Sequence, residues 1–508
     1  MNRHHTNVVD FLLDGKEPDR IALWLLNKKH SFGELHCAAA AIGRYLLQVA
    51  GQKGNRVILI SDNSFFWVAA YLGILRAGLV CVPLPSDVLR QDLDYVLQIT
   101  EARIACVQAG LAMKIVGHFR GVHWVTDREL PGLPGLASQR SLGSLFSGTT
   151  NGKTAFPTVL PEDLAALMFT SGSTGTPRGV MVSHANVMAN TESIIEYLRL
   201  TEKDRIMTVL PFHYCFGTSL LHTHLRVGAS LVIDSRFMYP EIVLQRMLNT
   251  ECTGFAGVPS HFQILLRSSS LGKKRFPNLR YVQQAGGHLA PSFIRELREA
   301  LPETQVFVMY GQTEATARLS YLPPEFLEKK LGSIGKGIPG VKLRVLNESG
   351  DEVLPGEVGE IVAEGENVTR GYWHAPDESA NSFRAGKLYT GDLATVDGDG
   401  FIYIVDRAKD FLKCGGKRVS CRQLEEQLLA FEALLEAAVI GVCDQVLGEA
   451  VKAFVVPREG ESAGLEERLR LFCKERIPAQ LIPREIVVLQ NLPKNNAGKV
   501  LKQNLRAL

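Results

Sequence analysis

Short apolar runs alternate with longer helical patterns through the N-terminal half of the chain. The run RVILI (56–60) is followed by a mostly apolar segment at 65–75 and then by the run LVCVPL (79–84). Uninterrupted apolar runs of this length are typical of strands covered on both faces, and a helix between two such strands gives a β-α-β unit. The pattern therefore predicts α/β layers.

One helix start can be predicted from polar residues alone. In SFGELHCAAAAIGRYLL, Ser31 and Glu34 have the spacing of a capping box and precede an alanine-rich helical stretch. We expect a helix to begin at this point.

Two later regions have different patterns. From about Val341, short strand-like runs are separated by turn signals such as NESGD and VDGDG, which predicts an antiparallel sheet. After DRAKDFLKCGGKR (406–418), a new unit has helical patterns at 421–431 and 464–477 and strand patterns at 436–442 and 451–457. This order predicts a small α+β unit at the C-terminus.

Composition narrows the class of protein. The 508 residues exceed the ~250–300 at which one core stops growing, so two or more domains are expected. The 56 basic and 53 acidic residues leave a formal charge of +3, which provides no basic surface for nucleic acid. The nine cysteines include no C-x-x-C pair, so a cytoplasmic protein is expected, without a disulfide framework or zinc site. No membrane span and no secretory signal are visible.

The stretch MFTSGSTGTPRGVMVSH (168–184) is the first candidate for chemistry. Its glycines let the backbone approach a ligand, and its hydroxyl side chains add hydrogen-bond donors, a combination that suits phosphate oxygens. Taken alone, the same composition is equally typical of a flexible surface loop. Motifs elsewhere in the sequence decide between a phosphate-binding loop and a surface loop.

Three further motifs follow in order: VMYGQTEATARL (308–319), the segment 387–420 that contains YTGDL and DRAKD, and LPKNNAGKVLK (492–502). Together with the first loop they resemble the signature motifs of the adenylate-forming superfamily, which includes acyl- and aryl-CoA ligases, nonribosomal adenylation domains and beetle luciferases. The resemblance covers essentially the whole chain. It implies a multidomain α/β fold, with a large N-terminal domain (1–408) of α/β layers and a small barrel-like part, a hinge near Lys409, and a mobile α+β domain (409–508).

The resemblance also implies a two-step reaction, for which ATP, Mg2+ and coenzyme A are needed. A carboxylate attacks the α-phosphate of ATP to give acyl-AMP and pyrophosphate, and a thiol then takes the acyl group and releases AMP. A protein that holds ATP without turning it over is the alternative from another class, and the presence of Lys499 and Glu314 argues against it.

Residue roles are carried over from the matching motifs. Lys499 would bridge the attacking carboxylate and the phosphate, Thr313 would lie near the α-phosphate, and Glu314 would bind Mg2+. The phosphate loop would comprise Thr170, Ser171, Gly172, Ser173, Thr174, Gly175 and Arg178, where Arg178 replaces the lysine usual in the family. Adenine and ribose would contact Gly286, Gly287, Tyr310, Asp392 and Arg407.

The sequence says less about which carboxylic acid is activated and which molecule accepts the acyl group. The stretch LPFHYCFGTSLLHTHL matches the part of the family that lines the acyl pocket, so Tyr214, Phe216 and Leu220 are candidates, with Val258 opposite. It contains no acidic residue, which disfavours an α-amino acid. Lys413, Gly415 and Gly416 resemble the border of a pantetheine tunnel, which makes coenzyme A the first choice of acceptor. A separate carrier protein or an amine remain open as alternatives.

Overall fold

The computed structural model describes residues 5–50, 52–147, 155–171, 177–407, 411–414, 417–444, 448–494, 498 and 500–506. At residues 147, 171, 407, 413, 417 and 418 the description covers the backbone only. The element bounds and counts that follow refer to these residues, and strands and helices are numbered in chain order.

The largest sheet of the described chain has nine strands in the order β16-β15-β14-β13-β12-β10-β11-β1-β2. The strands from β14 across to β1 pair in parallel, and both edges are antiparallel. The bounds are β1 Ile21–Trp24, β2 Lys29–Ser31, β10 Arg205–Thr208, β11 Ser230–Ile233, β12 Gly254–Gly257, β13 Tyr281–Gln284, β14 Gln305–Tyr310, β15 Ser320–Leu322 and β16 Lys336–Gly337.

A second sheet, with seven strands in the described residues, has the order β7-β6-β5-β3-β4-β8-β9. All of its pairs are parallel except the terminal β8–β9 hairpin. The bounds are β3 Arg56–Ile60, β4 Val80–Leu84, β5 Ile104–Val107, β6 His123–Thr126, β7 Ser138–Ser141, β8 Leu164–Ser171 and β9 Pro177–Ser183.

Helices cover these sheets and join them. The helices of the described residues are α1 Val8–Leu13, α2 Phe32–Ala50, α3 Phe65–Arg76, α4 Arg90–Thr100, α5 Ala112–Ile115, α6 Leu142–Ser147, α7 His184–Leu198, α8 Cys215–Val227, α9 Pro240–Asn249, α10 Pro259–Arg267, α11 Pro291–Ala300, α12 Pro376–Ser382, α13 Cys421–Leu429, α14 Leu465–Arg476 and α15 Lys502–Leu505. One continuous core contains buried residues of α1, α2, α3, α7 and α8 together with strands of both sheets. These helices therefore fill the space between the sheets, and Trp67, Tyr71 and Phe212 lie at the centre of that core.

Two smaller antiparallel-rich sheets follow, each of five strands among the described residues. The first forms a half-barrel from β17 Val341–Leu346, β18 Gly359–Gly365, β19 Phe383–Arg384, β20 Lys387–Val396 and β21 Ile402–Arg407. The second consists of β22 Phe411–Cys414, β23 Lys417–Ser420, β24 Leu434–Asp444, β25 Gly448–Pro457 and β26 Glu485–Val488, and α13 and α14 contribute to the core of this C-terminal unit. No helix within the described ranges is long and apolar enough to cross a membrane.

The sequence patterns located these elements well. The capping box forms as predicted, because the Ser31 hydroxyl accepts from the Glu34 amide at 3.2 Å and the Glu34 carboxylate accepts from the Ser31 amide at 3.0 Å. The predicted fold class, α/β layers with a half-barrel and a small C-terminal α+β unit, is confirmed.

Candidate active site

The topology of the large sheet brings the predicted site residues to one edge. β10, β12, β13 and β14 are parallel neighbours, so their carboxyl ends face the same way. The segments that follow them contain Tyr214, Val258, Gly286 and Thr313, respectively. Ligands of open α/β sheets bind at the carboxyl ends of such strands.

The predicted phosphate loop connects β8 to β9. Thr170 lies opposite Arg178 in the register of this hairpin. Ser171 is described by its backbone only, and Gly172, Ser173, Thr174 and Gly175 lie outside the described residues. The hairpin therefore positions the two ends of the loop.

A tyrosine that sequence reasoning missed connects this hairpin to the predicted magnesium ligand. Tyr372 lies beside β9, and its hydroxyl donates to Oε1 of Glu314 at 2.8 Å. The guanidinium of Arg178 lies 5.6 Å from the centre of the Tyr372 ring. Burial, together with the nearby Glu314 carboxylate, raises the pKa of Tyr372, so its hydroxyl remains a donor at neutral pH.

Thr313 and Glu314 form a short 3-10 turn immediately after β14. The Thr313 hydroxyl shares a 3.4 Å hydrogen bond with the thiol of Cys215, the first residue of α8. The Glu314 carbonyl accepts from the Thr369 amide at 2.9 Å, which fixes the turn against the chain leading to Tyr372. Oε2 of Glu314 has no hydrogen-bond partner within the described part of the chain.

The chemistry of this carboxylate fits Mg2+. A hard oxygen donor suits the ion, which takes few protein ligands and relies on substrate phosphates for the remainder. Among the described residues, no group of three or more His, Cys, Asp or Glu side chains could hold a metal ion by itself. Glu314 therefore fits a metal that is bound jointly with a nucleotide.

The predicted ribose residues come together on the half-barrel. Asp392 on β20 lies opposite Arg407 on β21 in register, and only the backbone of Arg407 is described. The Tyr310 hydroxyl, at the end of β14, donates to Oδ2 of Asp392 at 2.6 Å. The predicted stacking ring and the predicted ribose carboxylate are thus in direct contact.

Gly286 and Gly287 lie against the start of α10. Gly286 has φ +85°, and a Cβ atom built on it would lie 3.0 Å from Cγ1 of Val258. A Cβ atom on Gly287 would lie 3.2 Å from Pro259. A side chain at either position would press on Val258 or Pro259, so glycine fits both positions best.

The C-terminal unit also contacts the start of α10, through Gly498. Gly498 packs on Val258 and Ser260, and a Cβ atom built on it would lie 2.9 Å from Cγ2 of Val258 and 2.9 Å from Oγ of Ser260. The Ser260 hydroxyl donates to the Gly498 carbonyl at 3.4 Å. Lys499 itself lies outside the described residues, but the residue before it contacts the predicted pocket.

A polar cluster joins the two parts of the chain nearby, and sequence reasoning did not find it. Nε2 of His288 lies 2.6 Å from Oε1 of Glu426 on α13, and Nδ1 of His288 accepts from Arg422. Burial and the Arg422 charge lower the pKa of His288, which leaves the ring neutral at pH 7. This cluster holds α13 beside Gly287.

The residues predicted for the hinge and the coenzyme A tunnel are described only in part. Lys413 lies on β22 and is described by its backbone, whereas Lys409, Gly415 and Gly416 lie outside the described residues.

The predicted acyl-pocket residues cluster on the first turns of α8. Tyr214 is its N-cap residue, and Phe216 and Leu220 are buried one turn apart. Val258, across the sheet edge, is also buried. His213, which sequence reasoning passed over, is partly buried beside Tyr214, and desolvation lowers its pKa to about 4.

Comparison with known proteins shows the family to which the chain belongs. Residues 14–373 match the model of the AMP-binding enzyme family, and residues 423–499 match that of the AMP-binding enzyme C-terminal domain. A 2-succinylbenzoate–CoA ligase from Geobacillus sp. (strain WCH70) is 30% identical across 97% of this chain and 95% of its own length.

Solved structures extend the likeness to the whole fold. An anthranilate CoA ligase in complex with anthranoyl-AMP superposes with a TM-score of 0.88, at 26% identity over 99% of this chain and 96% of its own. The o-succinylbenzoate coenzyme A synthetase of Bacillus subtilis, in complex with ATP and magnesium ion, gives a TM-score of 0.83 at 27% identity, over 99% of each chain.

The chain is an AMP-forming ligase: it belongs to the family of AMP-binding enzymes. Within the adenylate-forming superfamily it falls in the acyl-CoA ligase branch. The resemblance, the enzyme class, and the use of ATP, Mg2+ and coenzyme A predicted from the sequence are thereby confirmed.

Proposed function

We propose that this chain joins a carboxylic acid other than an α-amino acid to the thiol of coenzyme A. In the first step a carboxylate oxygen attacks the α-phosphorus of ATP, the bond to the β-phosphate oxygen breaks, and pyrophosphate leaves. In the second step the thiolate of coenzyme A attacks the acyl carbon, the bond to the AMP oxygen breaks, and AMP leaves. The proton of the thiol passes to solvent.

The contact of Gly498 with Val258 and Ser260 carries this proposal. It brings the chain next to Lys499 to the edge of the sheet where Gly286, Tyr310 and Thr313 lie. A lysine at that place supplies a compact positive charge where negative charge redistributes during adenylyl transfer.

We assign the other roles from the matching sequence motifs. Thr170, Ser171, Gly172, Ser173, Thr174, Gly175 and Arg178 bind the β- and γ-phosphates. Thr313 orients the α-phosphate, Glu314 holds Mg2+, Asp392 and Arg407 bind the ribose, and Gly286, Gly287 and Tyr310 enclose adenine. Tyr214, Phe216, Leu220 and Val258 line the acid site. Tyr372 is a positioning residue, because it acts on the metal only through Glu314.

We assign the second step to a rotation of residues 409–508 about a hinge at Lys409, relative to residues 1–408. Lys413, Gly415 and Gly416 then border the path of the pantetheine arm. The His288–Glu426 contact belongs to the arrangement used for adenylation, because it accompanies the approach of Gly498 to the site.

Coenzyme A is the acceptor we propose, with a carrier protein or an amine as the alternatives. The absence of an acidic residue from the α8 stretch supports an acid without an ammonium group. We place the protein in the cytoplasm, a proposal supported by its nine cysteines, none of which forms a disulfide within the described residues.

The test measures the half-reactions separately on a panel of carboxylic acids. We expect acid-dependent exchange of pyrophosphate into ATP, an acyl-hydroxamate when hydroxylamine replaces the acceptor, and an acyl-CoA thioester with AMP when coenzyme A is present. ADP and phosphate as products would overturn the proposal. A hydroxamate without a thioester would shift the assignment to a carrier protein or an amine.

Lys499→Ala provides the matched test of mechanism. Loss of one preorganised charge typically costs ~10²–10³ in rate, so pyrophosphate exchange should fall by that factor while thioester formation from supplied acyl-AMP continues. Lys474→Ala, at an exposed lysine of α14, is the control and should leave both half-reactions unchanged.

A further inference from the structure

Arg318 is an arginine buried beside the predicted acid site. It follows the Thr313–Glu314 turn and has only 1% of its surface exposed. Its carbonyl accepts hydrogen bonds from the side-chain amides of Asn190 at 3.2 Å and Asn367 at 2.8 Å. The backbone is therefore fixed on both sides, and the side chain cannot reach solvent without moving this segment.

The guanidinium lies next to the residues that define the acyl pocket. Its central carbon is 4.0 Å from the centre of the Phe216 ring, and the Tyr197 hydroxyl is its side-chain hydrogen-bond partner. Cys215, adjacent to Phe216, contacts Thr313 at the centre of adenylation. The guanidinium of Arg318 thus packs against the first turn of α8, which lies between the proposed acid site and Thr313.

Two nitrogens of this guanidinium lack a partner. Nε and Nη2 are buried, and neither has a hydrogen-bond acceptor within the described residues. These two atoms form one edge of the guanidinium fork, the edge that grips a carboxylate with two parallel hydrogen bonds. Arg236 of the same chain does this to Asp234, through Nε at 2.9 Å and Nη2 at 2.7 Å.

Two partly buried arginines of the described chain differ from Arg318 because each has an acidic partner. Arg267 packs over Phe293 and pairs with Glu296, and Arg422 pairs with Glu426. No acidic side chain of the described residues forms an ion pair with Arg318. An unpaired buried charge is expensive, so a guanidinium kept in this position requires an anion from elsewhere.

We infer that the acid used by this chain has a second carboxylate, which binds Nε and Nη2 of Arg318 while the first carboxylate is adenylated. This inference rests on the proposed function and narrows its substrate class to dicarboxylic acids. Phe216 then packs on the carbon chain or ring between the two carboxylates.

The experiment compares matched acids that differ by one carboxylate. Adipate is paired with hexanoate, suberate with octanoate, and each of the three benzenedicarboxylates with benzoate. The value of kcat/KM is measured from acid-dependent pyrophosphate release in the presence of coenzyme A. The best substrate of the panel should be a dicarboxylic acid, preferred over its monocarboxylic partner by about 10²-fold, the scale of losing one partner from a buried charge pair.

Two substitutions test the residue itself. Arg318→Met retains the apolar stem and should abolish this preference, with KM for ATP unchanged. Arg318→Lys retains the charge but lacks the fork and should give an intermediate preference. Arg267→Met is the matched control, since it also removes an arginine packed over a phenylalanine, and it should leave the preference unchanged.

A measurement without turnover covers the case in which Arg318→Met is unstable. With ATP present, the preferred dicarboxylic acid should raise the melting temperature of the unsubstituted protein more than its monocarboxylic partner does. Equal shifts, or a panel in which monocarboxylic acids are the best substrates, would overturn the inference and leave the proposed function standing. Failure of every acid to release pyrophosphate would overturn both.

Discussion

The hydroxyl of Tyr310 donates a 2.6 Å hydrogen bond to Oδ2 of Asp392, which is 95% buried. This contact joins the last residue of β14 in the large sheet to β20 of the half-barrel. One residue predicted to stack on adenine and one predicted to bind the ribose therefore fix each other before any nucleotide arrives.

Tyr310→Phe should weaken ATP binding specifically. The ring remains, but the Asp392 carboxylate loses a donor, and a hydrogen bond to a charged group is worth about 1.5–3 kcal/mol. We expect KM for ATP to rise by about 10-fold, with little change in KM for the acid. Tyr45→Phe removes a comparable 2.6 Å hydrogen bond, to Ser138, away from the site and is the control. A rise in KM for the acid alone would contradict the assignment of Tyr310.

Gly498→Ala should block adenylation while leaving the thioester step intact. The new Cβ atom would lie 2.9 Å from both Val258 and Ser260, so the chain before Lys499 would have to move away. Misplacement of a catalytic group by about 1 Å can cost 10²-fold in rate, and we expect pyrophosphate exchange to fall by about that factor.

Gly460→Ala is the control that separates the contact of the new Cβ atom in Gly498→Ala from the effect of backbone strain. Gly460 has φ +82°, close to the +77° of Gly498, but a Cβ atom there would meet nothing within 4 Å. Both variants should lose similar stability, measured by thermal unfolding, and only Gly498→Ala should lose pyrophosphate exchange. Equal losses of exchange would mean that strain, and not contact with Val258, is the cause.

Tyr372→Phe should raise the Mg2+ concentration needed for half-maximal activity. The Tyr372 hydroxyl orients Glu314, and loss of a group that orients a metal ligand typically costs 10–100-fold in metal affinity, so an increase of about 10-fold is expected. This concentration is measured by titrating Mg2+ at a fixed ATP concentration. Tyr403→Phe removes a tyrosine–aspartate contact of 3.3 Å at Asp397, outside the site, and should leave the titration unchanged.

Stability should decline below about pH 6.5, the usual pKa of histidine. Burial lowers the pKa of His184, His213, His224 and His261 to about 4 and that of His222 to about 3. Because the unfolded chain binds these protons first, stability is lost as the pH falls from the unfolded pKa toward the folded one, by about 1.4 kcal/mol per pH unit for each histidine.

Urea unfolding at pH 7.5, 6.5 and 5.5 checks this expectation. At pH 5.5 unfolding should take up protons, and His184→Asn should reduce that uptake by about one proton. His184 is suitable because its Nδ1 accepts from the Val8 amide and its Nε2 has no partner among the described residues. If the free energy of unfolding of His184→Asn changes with pH as steeply as that of the unsubstituted protein, His184 titrates normally in the folded protein.

Local patterns were enough to predict much of the molecule. The capping box of Ser31 and Glu34 depends on residues three positions apart, and apolar runs such as Arg56–Ile60 become buried strands because both faces are covered. The motif order identified the superfamily, and the sheet topology then brought Thr313, Gly286 and Val258 to one edge.

The residues that sequence reasoning missed act through distant partners. Tyr372 meets Glu314 across 58 positions, and Arg422 meets His288 across 134. Arg318 stood within a recognised motif, but its burial and its unpartnered nitrogens depend on α7 and α8 packing over it. No periodicity in the chain encodes such contacts, because each depends on how separate elements pack.

Val258 touches Gly286 on one side and Gly498 on the other. Because Val258 is also proposed to line the acid site, a larger side chain at position 258 is expected to shorten the space for the acid and, at the same time, to push Gly498 away. Selectivity for the acid and the speed of the catalytic cycle therefore cannot be adjusted independently at this position. We therefore expect an engineered change of substrate at Val258 to need a second substitution, at Ser260, to restore turnover.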